Sequence, residues 1–271
     1  MIVAALAANA LLRELSASPK PGLVDRFSSG SHRDMDFFTF INSITAITPY
    51  FAECAEAGSG CATDPAALFT RLRGIGLRCE QAMLEATGGV NTHKGAIFVL
   101  GIIAAAYAEG ANDGTMGAAQ LRDRVYWLCG ALSQSELPHL PAKGELLSAV
   151  HGLKDARRQA LEAYPAVFDV GLPLYQQVKS RLSANDAAVH TLLGVMAVVD
   201  DTNIAARAGI AELMEVKAEA GRVLGLGGML TASGRDAVDR MCVRFRERNI
   251  SPGGGADMLS ATLFTDRLLN D

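Results

Sequence analysis

The sequence has no excess of basic residues: 25 Lys and Arg stand against 29 Asp and Glu, for a net charge of -4. Duplex nucleic acid is held by basic stripes that neutralise phosphates, so this balance excludes that class of partner. No apolar run is long enough to span a membrane. The longest, residues 96–108, falls short of the roughly 20 residues a spanning helix needs. Residues 1–12 are apolar but lack the basic stretch of a secretory signal, and Arg13 and Glu14 continue an amphipathic pattern. A cytoplasmic protein is expected. The five cysteines (Cys54, Cys61, Cys79, Cys129, Cys242) form no C-x-x-C pair and no zinc-finger spacing with histidine. Reduced, mostly buried thiols are the expectation.

Alternating β-branched runs are nearly absent too, which argues against a sheet. Helical stripes take their place. Phe37, Phe40, Ile41 and Ile44 share one helical face, as do Leu68, Leu72, Ile75 and Cys79, with Arg71, Arg73 and Arg78 opposite. Val189, Leu192, Leu193 and Met196 repeat the spacing. Turn signals separate the helices at residues 19–22, 110–114, 133–144, 225–234 and 251–255, and none is long or polar enough for an interdomain linker. At 49% hydrophobic and 20% charged the chain is not disordered, and at this length it buries about three quarters of its unfolded surface. The pattern predicts an all-α, single-domain bundle over residues 1–271, with about ten helices around a buried central one.

Five polar segments interrupt the apolar pattern. S-P-K-P-G-L-V-D at residues 18–25 holds Lys20 between two prolines, and Pro21-Gly22 suits the centre of a type II turn. A lysine on a stiff turn loses little entropy on meeting an anion, although an interhelix connection with an exposed lysine is the plainer account. G-S-H-R-D-M-D at 30–36 precedes a helix expected from Phe37. Asp34 and Asp36 suit a cation such as magnesium, which takes one or two carboxylates plus phosphate oxygens and water. Either aspartate equally suits the helix N-cap.

G-G-V-N-T-H-K-G at 88–95 leads into a helix apolar on nearly every side, hence central. Its free N–H groups, a capping Asn91 or Thr92, and His93 with Lys94 together suit a phosphate. Over residues 185–207, a helix running through Asp200 turns that residue inward beside Val189, Leu193 and Met196, which is costly unless it is paired or metal-bound. Asp201 then shares a face with His190, Gly194 and Ala197, where small residues leave a groove. The alternative has Asp200 and Asp201 capping the segment at Thr202 and Asn203 and pairing with Arg207. Last, S-P-G-G-G-A-D at 251–257 sets three glycines before a helix, where backbone amides approach a ligand closely. Asp257 in that first turn also fits a purely dipolar role.

Taken in order, P-K-P-G-L-V-D (19–25), S-H-R-D-M-D (31–36), G-V-N-T-H-K-G (89–95), D-T-N (201–203) and S-P-G-G (251–254) resemble the ATP:dephospho-CoA triphosphoribosyltransferases, or triphosphoribosyl-dephospho-CoA synthases. The likeness covers about residues 11–268. It implies a mainly helical enzyme that moves the 5-triphosphoribosyl group of ATP onto the ribose 2′-hydroxyl of 3′-dephospho-CoA and releases adenine. The product is the prosthetic-group precursor for the acyl carrier subunit of citrate lyase or malonate decarboxylase. Departures from the family pattern are Gln159 in place of an acid, Ala208 in place of a glycine, and Gly255 where serine is common.

Breaking an N-glycosidic bond passes through an oxocarbenium-like state, for which carboxylates are the usual partners. The catalytic candidates are Asp25, Asp34, His93, Asp201 and Asp257, with one of Asp25, Asp201 or Asp257 as general base or oxocarbenium stabiliser, and His93 or His32 assisting. Lys20, Asn91, Thr92, Lys94, Arg207, Gly253 and Gly254 are expected to hold the nucleotide, and Asp34, Asp36 and Asp201 a bridging Mg2+. Rival readings are a relative with another acceptor, or a non-catalytic helical nucleotide-binding module. A zinc hydrolase is disfavoured, because His32, His93, His139, His151 and His190 show no H-E-x-x-H spacing.

Overall fold

A computed structural model describes residues 2–60, 64–110, 116–134 and 150–270. Cys61, His139, and nearly all of the turn signals at 110–114 and 133–144 lie outside the described residues. Those described form twelve α-helices and no strand, in line with the all-α expectation. Their order is α1 (Ile2–Ser16), α2 (Phe37–Ser59), α3 (Pro65–Ala86), α4 (Lys94–Gly110), α5 (Ala118–Gly130), α6 (Ala156–Leu161), α7 (Leu172–Val178), α8 (Ala184–Val198), α9 (Thr202–Ala208), α10 (Ile210–Gly225), α11 (Ala232–Glu247) and α12 (Gly253–Asn270). Among the described residues no helix is long and apolar enough to cross a membrane.

The helix expected at the centre is there. α4 buries Ile97, Leu100, Ile103, Ala96 and Ala104 to Ala106, and packs on α2, α3, α5 and α12. Its small residues let neighbours approach closely: a Cβ at Gly58 of α2 would sit 2.1 Å from the Ala105 carbonyl oxygen. Leu68, Leu72, Ile75 and Cys79 are buried on α3 with Arg71, Arg73 and Arg78 exposed, and the Val189, Leu192, Leu193, Met196 stripe is buried on α8. α1 lies against α2 and α12, so the helices farthest apart in sequence touch. Cys54, Cys79 and Cys129 are buried free thiols, and Cys242 is partly buried.

One helix ends earlier than its pattern suggests. α8 stops at Val198, Val199 is extended, and Asp201 opens α9 as its N-cap. Asp200 is therefore not on the inward stripe; it accepts the Lys154 N–H at 3.0 Å and pairs with Lys217 at 2.5 Å. The expected groove at Gly194 does not form either, because the Leu174 side chain fills that space. His190 instead accepts the Met229 N–H at 3.2 Å.

Candidate active site

A cleft of about 630 Å³ opens where the end of α1 and the starts of α4, α9 and α12 converge. That volume lies within the usual range for ligand pockets, roughly 300–1,000 Å³. The loop carrying His32 and Asp34 and the start of α6 form its rim. Each helix start brings polar backbone to the surface. Asn91 Oδ1 accepts the Lys94 N–H at 3.2 Å as α4 begins, and Lys94 reaches Glu80 at 2.6 Å with its side chain mostly exposed. Gly253 and Gly254 carry the first turn of α12 into the wall.

Behind the α4 start runs a buried chain of hydroxyls. Thr92 Oγ1 donates to Ser43 Oγ at 2.7 Å, and Ser43 Oγ meets His93 Nδ1 at 2.7 Å. With its own oxygen already accepting, Ser43 donates to Nδ1, and the neutral ring then carries its proton on Nε2. The ring stands edge-on to Phe40, 4.9 Å between centroids. Burial, then the nearby Lys20 charge, pushes the His93 pKa down to about 3. Nε2 is buried without a partner among the described residues. His93 is thus a neutral donor at the cleft wall rather than a cation.

Three carboxyls gather around the floor. Glu14, on the last turn of α1, is 3% exposed and ion-paired to Lys20, whose ammonium also donates to the Glu14 carbonyl at 2.7 Å. Asp257 on α12 is half-buried and faces Gly95, where a Cβ would lie 2.0 Å from Asp257 Oδ2; only glycine at 95 leaves the carboxyl its place. Burial, with the neighbouring Asp201 and Glu14 charges, holds the Asp257 pKa well above the ordinary carboxyl range, against a lowering contribution from the Ala96 amide. Asp201, 3% exposed, accepts from Asn203 and Ile204 at 3.0 and 3.3 Å through Oδ1 and from Gly255 at 3.2 Å through Oδ2. It joins the starts of α9 and α12. Burial raises its pKa and these amides lower it, with burial prevailing.

The rim carries further polar groups. His32 Nε2 meets Ser251 Oγ at 2.8 Å, and Nδ1 lies 3.7 Å from Asp34. Burial and the Arg207 charge lower the His32 pKa, outweighing Asp34. Tyr164 follows Ala163 in a pair of left-handed residues, φ 53° and 48°. Such backbone costs roughly 1–2 kcal/mol per non-glycine residue. The ring lies along the cleft, and the hydroxyl is buried with no partner among the described residues.

Most of the expected residues meet here. Asn91, Thr92, His93, Lys94, Asp201, Arg207, Gly253, Gly254, Asp34 and Asp257 all border the cleft. Three others do not. Asp25 is buried within its own loop, accepting from Ser18 Oγ and from the amides of Lys20, Phe27 and Ser28. Lys20 is not the exposed lysine of a plain connection: it is 3% exposed and reaches the cleft only through Glu14. Asp36 caps α2, its Oδ1 accepting the Thr39 N–H at 2.8 Å. Asp34, Asp36 and Asp201 thus do not assemble as a shared ligand set, since two of them are spent on helix starts. Among the described residues no three His, Cys, Asp or Glu come together as metal ligands.

The sequence pattern missed Glu14 and Tyr164. Glu14 falls at i+3 from Leu11 on the buried stripe of Ala4, Ala7 and Leu11, and that placement was its only signal.

A family model described as ATP:dephospho-CoA triphosphoribosyl transferase (CitG) matches residues 2–271. A Vibrio cholerae protein named probable 2-(5''-triphosphoribosyl)-3'-dephosphocoenzyme-A synthase is 39% identical over 269 residues, covering 96% of this chain and 86% of the relative. A Pectobacterium atrosepticum protein named 2-(5''-triphosphoribosyl)-3'-dephosphocoenzyme-A synthase is 41% identical over 261 residues, covering 94% and 85%. One from Klebsiella pneumoniae bearing that name is 37% identical over 263 residues, covering 94% and 87%. No solved structure matches the chain significantly.

Proposed function

The chain belongs to the ATP:dephospho-CoA triphosphoribosyl transferase family, and from that premise we propose that it moves the 5-triphosphoribosyl group of ATP to the ribose 2′-hydroxyl of 3′-dephospho-CoA and releases adenine. The observation that carries this reading is the convergence of phosphate-ready helix starts, at Lys94 and Gly253, with a half-buried carboxyl, Asp257, in one cleft.

The division of labour follows from the charges. Lys94, Arg207 and the exposed amides of the α4 and α12 starts receive the triphosphate, where helix dipoles favour anions. The Nε2–H of His93 and the hydroxyl of Tyr164, both buried without partners among the described residues, orient the ribose or base by donating to it. Neither is charged, so each directs through a hydrogen bond without changing the net charge of the site. Asp257 stands closest to the chemistry, as one of the carboxyls such a transfer requires.

The donor set fits magnesium that arrives on the triphosphate better than a separate resident ion. Asp34 would hold it, with its side chain 64% exposed at the rim and, among the described residues, a single contact, 3.7 Å to His32. Bound there, the ion supplies charge neutralisation at phosphate oxygens. The test is adenine release from ATP with and without 3′-dephospho-CoA, with the product mass measured. Adenine that appears only with the acceptor, matched by a product heavier by one triphosphoribosyl group, supports the reading. Release of ADP, or adenine with free triphosphoribose, overturns it.

A further inference from the structure

Two carboxyls border the same cleft, one with a cationic partner and one without. Glu14 is clamped by a lysine that has nowhere else to go: Lys20 Nζ contacts Glu14 Oε1 and the Glu14 carbonyl oxygen, and both side chains are almost fully buried. Asp257 has no cationic partner among the described residues, and two of its neighbours, Asp201 and Glu14, are acids. Burial raises both carboxyls, Glu14 against the opposing Lys20 charge and Asp257 with no such opposition, so Glu14 gives up its proton first, the order that a base and an acid in one site need.

We propose that Glu14, oriented by Lys20, is the general base that takes the proton of the acceptor hydroxyl, and that Asp257 is the general acid that protonates the departing adenine. This deepens the transferase reading and rests on it. The acceptor oxygen forms a bond to the anomeric carbon of ATP as its proton passes to the Glu14 carboxylate. The bond from that carbon to adenine N9 breaks, its electron pair stays with the base, and the Asp257 proton neutralises a ring nitrogen. Charge and protons balance, and proton exchange with water resets the pair. Lys20 is a positioning residue here, acting through Glu14.

The groups that act on Glu14 are Lys20 and Asp25 from the loop after α1 and Asp257 from α12. Neutral His93 lies beyond Lys20. α2 and α8, which also pack on α1, add no charged group to that set among the described residues. Burial raises the Glu14 carboxyl and prevails over the Lys20 charge that opposes it, so Glu14 sits above its ordinary value but, having that partner, below Asp257 in the order of ionisation. The rate should therefore climb with pH as Glu14 ionises and fall as Asp257 loses its proton.

The experiment follows adenine release across pH for the whole chain and for Glu14→Gln, Glu14→Ala, Glu14→Asp and Asp257→Asn, with ATP affinity measured by calorimetry. Glu14→Gln is expected to lose about 10²- to 10⁴-fold in kcat, to lose the acid limb of the profile, and to keep ATP affinity within about threefold. Asp257→Asn should lose the alkaline limb. Formate or azide should restore part of the rate to Glu14→Ala, which a merely structural role would not allow. Should the larger changes disturb folding, Glu14→Asp keeps a carboxylate beside Lys20 and is expected to retain the acid limb at reduced rate. An active parent whose acid limb survives Glu14→Gln, or a Glu14→Ala variant that no small base rescues, overturns the assignment. A parent that releases no adenine with the acceptor overturns the transferase reading instead.

Discussion

At the scale of single residues, the cleft sorts its cations by availability. Arg207 is exposed on the wall with no acidic partner among the described residues, whereas Lys94 is tied to Glu80. Arg207→Ala is expected to weaken ATP binding by about tenfold, near 1.4 kcal/mol, and Lys94→Ala by less, both by calorimetry with magnesium present. Unchanged affinity in both variants would move the phosphates elsewhere. Lys94 was legible because a buried helix has little reason to begin with His-Lys. Glu14 was not: set beside Arg13, it reads as the polar side of an amphipathic helix, and only the spacing from Leu11 betrays that it points inward. Its partner was half legible, since the stiff prolines around Lys20 suggested a held lysine but not that the holder is an acid of the preceding helix. Asp25 misled for a related reason. Its carboxylate satisfies loop amides, and sequence alone does not separate an acid that binds its own backbone from one that waits for a ligand.

At the scale of elements, the helix starts carry most of the design. Gly95 occupies the first turn of α4 because Asp257 presses on it from α12. Gly95→Ala must therefore displace that carboxyl, and kcat is expected to fall at least about 100-fold with little change in circular dichroism. Gly58→Ala pushes a methyl into the Ala105 carbonyl and should destabilise by about 1–3 kcal/mol, read from urea unfolding, because overpacked cores shift rather than compress. The start of α4 and its central burial were readable from one capping string followed by an unbroken apolar stretch. The end of α8 was not, because Val199 and Asp200 continue the inward spacing. What stops the helix is Asp201, whose oxygens bind amides of α9 and of α12, the latter 54 residues onward. No local pattern announces a partner that remote.

For the molecule as a whole, the site sets stability against function. Asp257 binds its proton more tightly folded than unfolded, so the folded state loses ground as pH rises from the ordinary carboxyl value, near 4, through the raised folded value. Asp257→Asn removes that loss: its melting temperature should exceed the parent's at neutral pH, with the two converging near pH 4, while activity falls. A variant no more stable than its parent at pH 7 would contradict the uncompensated burial. His93 works in the opposite sense. Its folded pKa, about 3, lies below the unfolded value, so its contribution is full above about pH 6.5 and declines as pH falls toward the folded value. The five motif blocks were legible in sequence, and they do share one cleft, yet which blocks face each other is decided by packing. Here the contact between α1 and α12 has a practical corollary. On the proposed roles of Glu14 and Asp257, the active surface has no contiguous minimal fragment: a chain bisected anywhere between them is expected to yield two inert pieces whose activity returns only through reassociation.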